Sequence, residues 1–219
     1  MEQILIFEDN KTERDDIKSL VEKVLVAHHS KMTLSDYVTI RDFESIPSIK
    51  GDTLQVIITD VLNSEKELVE YNKILEQARG SDESQKKALI EEANKVLIEA
   101  SKESFIFIAK AWKKANCPII ILTKINRSNL VRIFEGLRDD NDSDFKEMFC
   151  NDIDSLISKI KRKGRIMYRS KNVFLFLKKE YYGIEDDTSS NNREAHNEFN
   201  NWFAKKMVKI LKFSKSEQS

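Results

Sequence analysis

At 219 residues the chain can hold one large domain or one domain with an appendage, and 40% apolar residues are enough for a core. The 37 basic and 37 acidic side chains cancel overall but not locally: residues 1–158 carry 22 Lys+Arg against 30 Asp+Glu, and residues 159–219 carry 15 against 7. No apolar run approaches the roughly 18 residues of a membrane span, no secretory leader is evident, and Cys117 and Cys150 lack metal-site spacing, so a cytoplasmic protein with reduced thiols is expected.

In chain order, "ILIF" (4–7) reads as a buried strand: short, apolar and rich in branched side chains. Glu8 and Asp9 follow it directly. Either they flank and cap the next helix, or they sit at a strand's carboxyl end as part of a ligand site. Residues 12–26 follow as an amphipathic helix, with Ile17, Leu20, Val21, Val24 and Leu25 at helical spacing and a capping box expected at Thr12 and Asp15. "YVTIRDF" (37–43) alternates as a strand does. "LQVIITD" (54–60) is a second buried strand, ending in Asp60. "CPIIILTK" (117–124) is another, ending in Thr123. "NLVRIFEGL" (129–137) and "DIDSLISKIKRK" (152–163) read as helices, with "DFKEMF" (144–149) as a weaker strand between them.

Residues 64–115 exceed what a strand-to-strand crossover needs. Two periodic helical stretches flank Gly80-Ser81, which predicts a helical hairpin, packed on itself or used as a dimer surface. Beyond Gly164 the sequence is apolar and basic. That stretch could continue as helix or form a strand pair, and a helix over 172–182 is the favoured expectation; a polar linker at 185–192 and a final amphipathic helix over 194–213 follow. The last presents Phe199, Trp202, Phe203, Met207, Ile210 and Leu211 on one face.

Strands alternating with helices argue for a doubly wound α/β domain with a parallel sheet. Right-handed crossovers then bring all strand carboxyl ends to one rim. Glu8, Asp9, Asp60 and Thr123 all fall at such ends. Clustered carboxylates suit a hard cation such as Mg²⁺. A carboxylate beside that cation can attack a phosphoryl group, and a neighbouring hydroxyl such as that of Thr123 can hydrogen-bond its oxygens.

"ILIFEDN", "VIITDVL" and "PIIILT" together resemble the response-regulator receiver family, over residues 1–63 and 116–160. The resemblance implies a flavodoxin-like, five-stranded parallel sheet. It implies Mg²⁺ held by Glu8, Asp9 and Asp60, and Asp60 as phosphoacceptor with Thr123 beside it. It implies a histidine kinase or phosphotransfer protein as donor, a downstream protein as reader, and no conventional enzymatic turnover. On this reading residues 1–163 form the receiver-like domain, with 64–115 as hairpin insertion and crossover, and 164–219 form a basic, mainly helical extension. Receivers also carry a Lys at the end of the fifth strand, usually followed by Pro. Aligning "DIDSLISKI" with the family's last helix puts Phe149 at that position, so Lys146, three residues earlier, or Lys124, after Thr123, becomes the candidate for that charge.

Other readings stay open. The chain could be a receiver-like interaction module without regulated phosphorylation. A homodimer through the hairpin is a further option. Residues 159–182 hold nine Lys+Arg and one Glu interleaved with Tyr168, Phe174, Tyr181 and Tyr182, which permits a nucleic-acid contact. The blander expectation for those aromatics is packing onto the sheet. A phosphohydrolase or nuclease with a D-x-D motif is disfavoured, because Asp60 is followed by Val61 and Leu62. His28, His29 and His196 form no catalytic set.

Overall fold

The computed structural model describes residues 3–27, 31–45, 54–61, 65–139, 142–149, 152–162, 167–177 and 191–216. Six strands form one sheet: β1 (Gln3–Phe7), β2 (Thr33–Tyr37), β3 (Leu54–Asp60), β4 (Ile119–Thr123), β5 (Met167–Ser170) and β6 (Val173–Leu177). Their order is β2-β1-β3-β4-β6-β5, parallel throughout except for β5, which is antiparallel to β6 at the edge. The fold is α/β with a mostly parallel sheet, as the alternation of elements predicts. It has six strands where five were expected.

Both faces of the sheet are covered, which is why the central strands read as unbroken apolar runs. One face carries Leu5, Phe7, Ile57, Ile119, Ile121, Val173, Leu175 and Leu177. Helices α3 (Glu83–Ala115), α4 (Arg127–Asp139), α5 (Ser143–Met148) and α6 (Ile153–Lys161) pack there. The other face carries Ile4, Ile6, Val56, Ile58, Ile120, Leu122, Phe174 and Phe176. It is covered by α1 (Lys11–Ala27) and by the final helix, α7 (Asn191–Ser216). The two sets alternate residue by residue along each strand.

The hairpin consists of α2 (Glu65–Arg79) packed on the first half of α3, with the turn at Gly80 and Ser81. Asp82 starts α3 by accepting the Ser84 and Gln85 amides, each at 3.0 Å. Asn116 ends it in the left-handed region at φ 50°, with its N–H on the Trp112 carbonyl. The second half of α3, including Phe105, Ile108, Ala109 and Ala111, lies on the sheet. One 33-residue helix therefore serves both as crossover between β3 and β4 and as an arm of the hairpin.

Several expected elements change. Residues 37–43 are not a strand: β2 ends at Tyr37, and Ile40–Ser45 is a 3₁₀ helix. Ile40 and Phe43, three apart, are both buried, a helical spacing that short alternation can mimic. Residues 144–149 are helical rather than extended. Asp142 accepts the Phe145 amide at 2.8 Å, and Phe145, Met148 and Phe149 turn inward together. Within the helix expected over 172–182, Val173–Leu177 is instead the strand β6, whose five residues are all buried, and residues 178–182 lie outside the described residues. Tyr168 on β5 opposes Leu175 on β6, and Lys171 in the turn between the strands adopts φ 43°. The sheet thus takes its fifth parallel strand from beyond residue 163. At the start of α1 the cap is Asn10, whose Oδ1 accepts the Glu13 N–H at 3.1 Å, two residues before the capping box expected at Thr12. The expected linker at 185–192 lies outside the described residues up to 190, as do His28 and His29; Cys150 lies outside them too.

Phe199, Phe203, Met207, Ile210 and Leu211 are buried against the sheet, and Trp202 packs edge-on to Phe176 at 5.3 Å. Each such side chain contributes about 1.5–3 kcal/mol. The last helix is therefore an integral layer of this domain. No helix among the described residues is long and apolar enough to cross a membrane.

Candidate metal and phosphoryl site

The register of the sheet builds the site. Phe7 pairs with Thr59, so Glu8 and Asp9 emerge beside Asp60, the last residue of β3. Asp60 pairs with Leu122, which puts Thr123 one step further along the neighbouring strand. Thr123 pairs with Leu177, the last residue of β6. The carboxyl ends of β1, β3, β4 and β6 thus share one rim.

Glu8, Asp9 and Asp60 each place one carboxylate oxygen within 4.8 Å of the others. Glu8 is 1% exposed; Asp9 and Asp60 are half-buried. Three converging carboxylates, one of them removed from water, repel one another unless a cation offsets them. The donors are all oxygen, which selects hard divalent ions over soft ones. The three carboxylates, already within 4.8 Å of one another, can close on one such ion.

The surroundings hold these acids in place. The Glu8 N–H donates to the Tyr37 carbonyl at 3.1 Å, and Glu8 Oε1 accepts the Asn10 N–H at 3.1 Å. Arg14 donates to the backbone carbonyls of Glu8 at 2.5 Å and of Asp9 at 3.3 Å. Asp60 Oδ1 accepts the Val61 N–H at 2.6 Å, and the Thr59 hydroxyl donates to the Asp60 carbonyl at 2.9 Å. Thr123 is fully buried, and its Oγ1 accepts the Ile125 N–H at 3.0 Å.

Of the residues singled out in the sequence, Glu8, Asp9 and Asp60 are brought together, and Thr123 ends the strand beside Asp60. Lys124 follows Thr123 directly and pairs with Glu13 on α1. Partial burial disfavours its ammonium. The hydrogen bond to Glu13, and the charges of Glu13, Asp60 and Glu8, outweigh that and hold its pKa above the ordinary value. Lys146 lies within α5, a helix packed on α3, and not at the end of a strand. Phe149 is a core residue packed at an angle against Phe134 and Phe145, and its alignment with the end of a fifth strand does not hold. The fifth parallel strand is β6, and Lys178 and Lys179 follow it directly in the sequence, outside the described residues. In the sequence "VFLFLKK" suits a buried parallel strand as well as a buried helical turn, and the pairing with β4 decides between them.

In the basic stretch Tyr168 and Phe174 are buried. The Tyr168 hydroxyl donates to the Lys159 carbonyl and accepts from Arg127, both at 3.0 Å. These two rings are committed to the fold and are not presented for stacking on bases. Cys117 is buried, and its thiol is pushed up to about 12 by desolvation, which leaves it an inert core group.

No protein-family model matches the chain, and no curated protein does. Among solved structures, a response regulator receiver domain protein from Clostridium thermocellum is similar to it. The two are 13% identical, with 74% of this chain and 98% of that chain covered and a TM-score of 0.35. A likeness that loose carries no argument about the site. Strand order and the convergence of the acids do.

Proposed function

We propose that the chain is a receiver-like signalling protein in which Asp60 accepts a phosphoryl group with the help of a divalent cation, Mg²⁺ in the cell, held by Glu8, Asp9 and Asp60. The observation that carries this reading is the meeting of those three carboxylates at the carboxyl rim of a parallel sheet, next to the strand that ends in Thr123. An Asp60 carboxylate oxygen forms the new bond to phosphorus as the bond from phosphorus to the donor's leaving nitrogen breaks. The cation, when bound, offsets charge on the transferring group. The chain's own residues orient the acceptor: Val61 N–H fixes one Asp60 oxygen, and Arg14 holds the loop that carries Glu8 and Asp9. The Thr123 hydroxyl supplies a hydrogen bond to a phosphoryl oxygen. Lys178, next in sequence after β6, rather than Lys146 on α5, supplies the cation that pairs with the phosphoryl group.

The donor would be a histidine kinase or phosphotransfer protein, and the output a contact with another protein in the cytoplasm. The chain then turns over only its own acyl phosphate and is no conventional enzyme. Residues 1–177 with α7 act as one receiver-like unit, and the α2–α3 hairpin is an addition to it.

The test is a titration of the full chain with Mg²⁺ and then beryllofluoride, followed through the fluorescence of Trp112 and Trp202. A saturable, Mg²⁺-dependent response to beryllofluoride is expected, lost in Asp60→Asn. Asp9→Asn is expected to weaken Mg²⁺ about tenfold or more. Lys178→Ala should keep the metal response and lose most of the beryllofluoride response. Metal binding without any beryllofluoride response would favour an interaction module that keeps the acids and lacks regulated phosphorylation.

A further inference from the structure

Lys124 occupies the position directly after Thr123, at the end of the strand beside β3. Its ammonium pairs with the carboxylate of Glu13 in the first turn of α1. The Lys124 side chain is 55% exposed and that of Glu13 21%, so the carboxylate is the fixed partner and the lysine the one with room to move. Glu13 is itself tied to the acidic pocket. Its N–H donates to Asn10 Oδ1, and the Asn10 N–H donates to Glu8 Oε1, both at 3.1 Å. A continuous chain of contacts therefore runs from Glu8 through Asn10 and Glu13 to Lys124. The carboxylate in contact with Lys124 is Glu13 from α1, and the charges of Glu8 and Asp60 at the neighbouring strand ends also favour its ammonium.

We propose that Lys124 is the internal counter-cation of this pocket: seated on Glu13 it offsets the charge of Glu8, Asp9 and Asp60 and opposes a divalent ion, and it attracts an anionic group arriving at Asp60. The anion half of this statement rests on the phosphoryl-acceptor reading; the metal half rests on the carboxylates alone. Like charges placed on one pocket compete, and opposite charges assist each other. The two ligands must therefore respond to Lys124 with opposite sign.

The experiment measures two dissociation constants on the full chain by calorimetry, for Mg²⁺ alone and for beryllofluoride at saturating Mg²⁺. Lys124→Gln is expected to tighten Mg²⁺ about fivefold and to weaken beryllofluoride by a similar factor at low ionic strength, both effects shrinking as salt is raised. Glu13→Gln, which removes a negative charge and frees the lysine, is expected to do the reverse. A merely structural role would shift the thermal midpoint and move both constants in one direction. Unchanged constants in Lys124→Gln, or shifts of the same sign, overturn the proposal. A wild-type chain that binds Mg²⁺ and ignores beryllofluoride overturns the phosphoryl reading instead, and the Mg²⁺ constants of the two variants still decide the role of Lys124.

Discussion

Arg14 reaches back from the first turn of α1 to the backbone carbonyl of Glu8, at 2.5 Å, and its side chain is only 14% exposed. It also contacts the Asp9 carbonyl at 3.3 Å, and its Nε lies 3.5 Å from Asp36 on β2. One guanidinium thus ties the acid-bearing loop to the helix that follows it and to the edge strand. Arg14→Ala is expected to cost about 2 kcal/mol of stability, since it removes charge-assisted hydrogen bonds from partly buried carbonyls. It should also weaken Mg²⁺ several-fold by loosening the loop. Arg14→Lys keeps the charge and loses the planar fork, and should recover only part of either effect. Urea unfolding and metal calorimetry read the two effects separately.

The partner of that network predicts a pH dependence. Asp36 accepts a hydrogen bond from Lys18 at 2.9 Å. That bond, against a smaller opposing cost of burial and with help from the charges of Lys18 and Arg14, holds its carboxyl below the ordinary value of 3.8. A carboxyl with a lowered folded pKa adds stability that is complete above the unfolded value and is lost as pH falls through the folded one. Asp36→Asn is therefore expected to be less stable than wild type at neutral pH, with the gap closing as pH drops below 3.8. Urea midpoints for both proteins across that range check it. A gap that widens in acid would contradict the assigned pairing.

The position of β6 and α7 bears on domain limits. A chain ending at residue 163 lacks β5, β6 and the final helix, which opens the edge of β4 and uncovers the face formed by Ile4, Ile6, Val56, Ile58, Ile120 and Leu122. Such a fragment is expected to lack a cooperative urea transition and to bind hydrophobic dyes. Phe203→Ala in the full chain is the milder version. It should cost about 3–5 kcal/mol, because Phe203 is 1% exposed, stacks on Phe199 and packs edge-on to Phe176. A cooperative transition in the 1–163 fragment would show that the extension is dispensable.

Gly136 sits inside α4 under the end of the Lys102 side chain; a Cβ there would lie 2.2 Å from Lys102 Cε and 2.6 Å from its Nζ. The obstacle is the far end of a lysine side chain, whose ammonium pairs with Glu99 at 3.0 Å. Moving it costs less than the roughly 1 kcal/mol that alanine gains over glycine in a helix interior. Gly136→Ala is expected to stabilise the protein by about 0.5 kcal/mol, read from the urea midpoint. A loss of stability would mean that Lys102 is held there by more than its tip.

The sequence by itself determined the strands that end in the acids. "ILIF", "LQVIITD" and "IIILT" are short apolar runs of branched residues bounded by polar ones, a pattern set by local chemistry. With the parallel rule that follows from alternation, they were enough to bring Glu8, Asp9 and Asp60 to one rim. Periodicity also fixed α1, α6, the hairpin and the apolar face of the last helix, since each repeats its pattern over several turns. Only the tertiary structure decided the rest. Phe145, Met148 and Phe149 fit a short strand as well as a single helical turn until the aromatic cluster around Phe134 is known. "VFLFL" is apolar at every position, so no period separates helix from strand; the open edge of β4 made it a strand. The pairing of Lys124 with Glu13, 111 residues apart, depends on how α1 and β4 meet across the sheet. Local runs carry the identity of an element, while ambiguous runs and distant partners are settled by what is left to pack against.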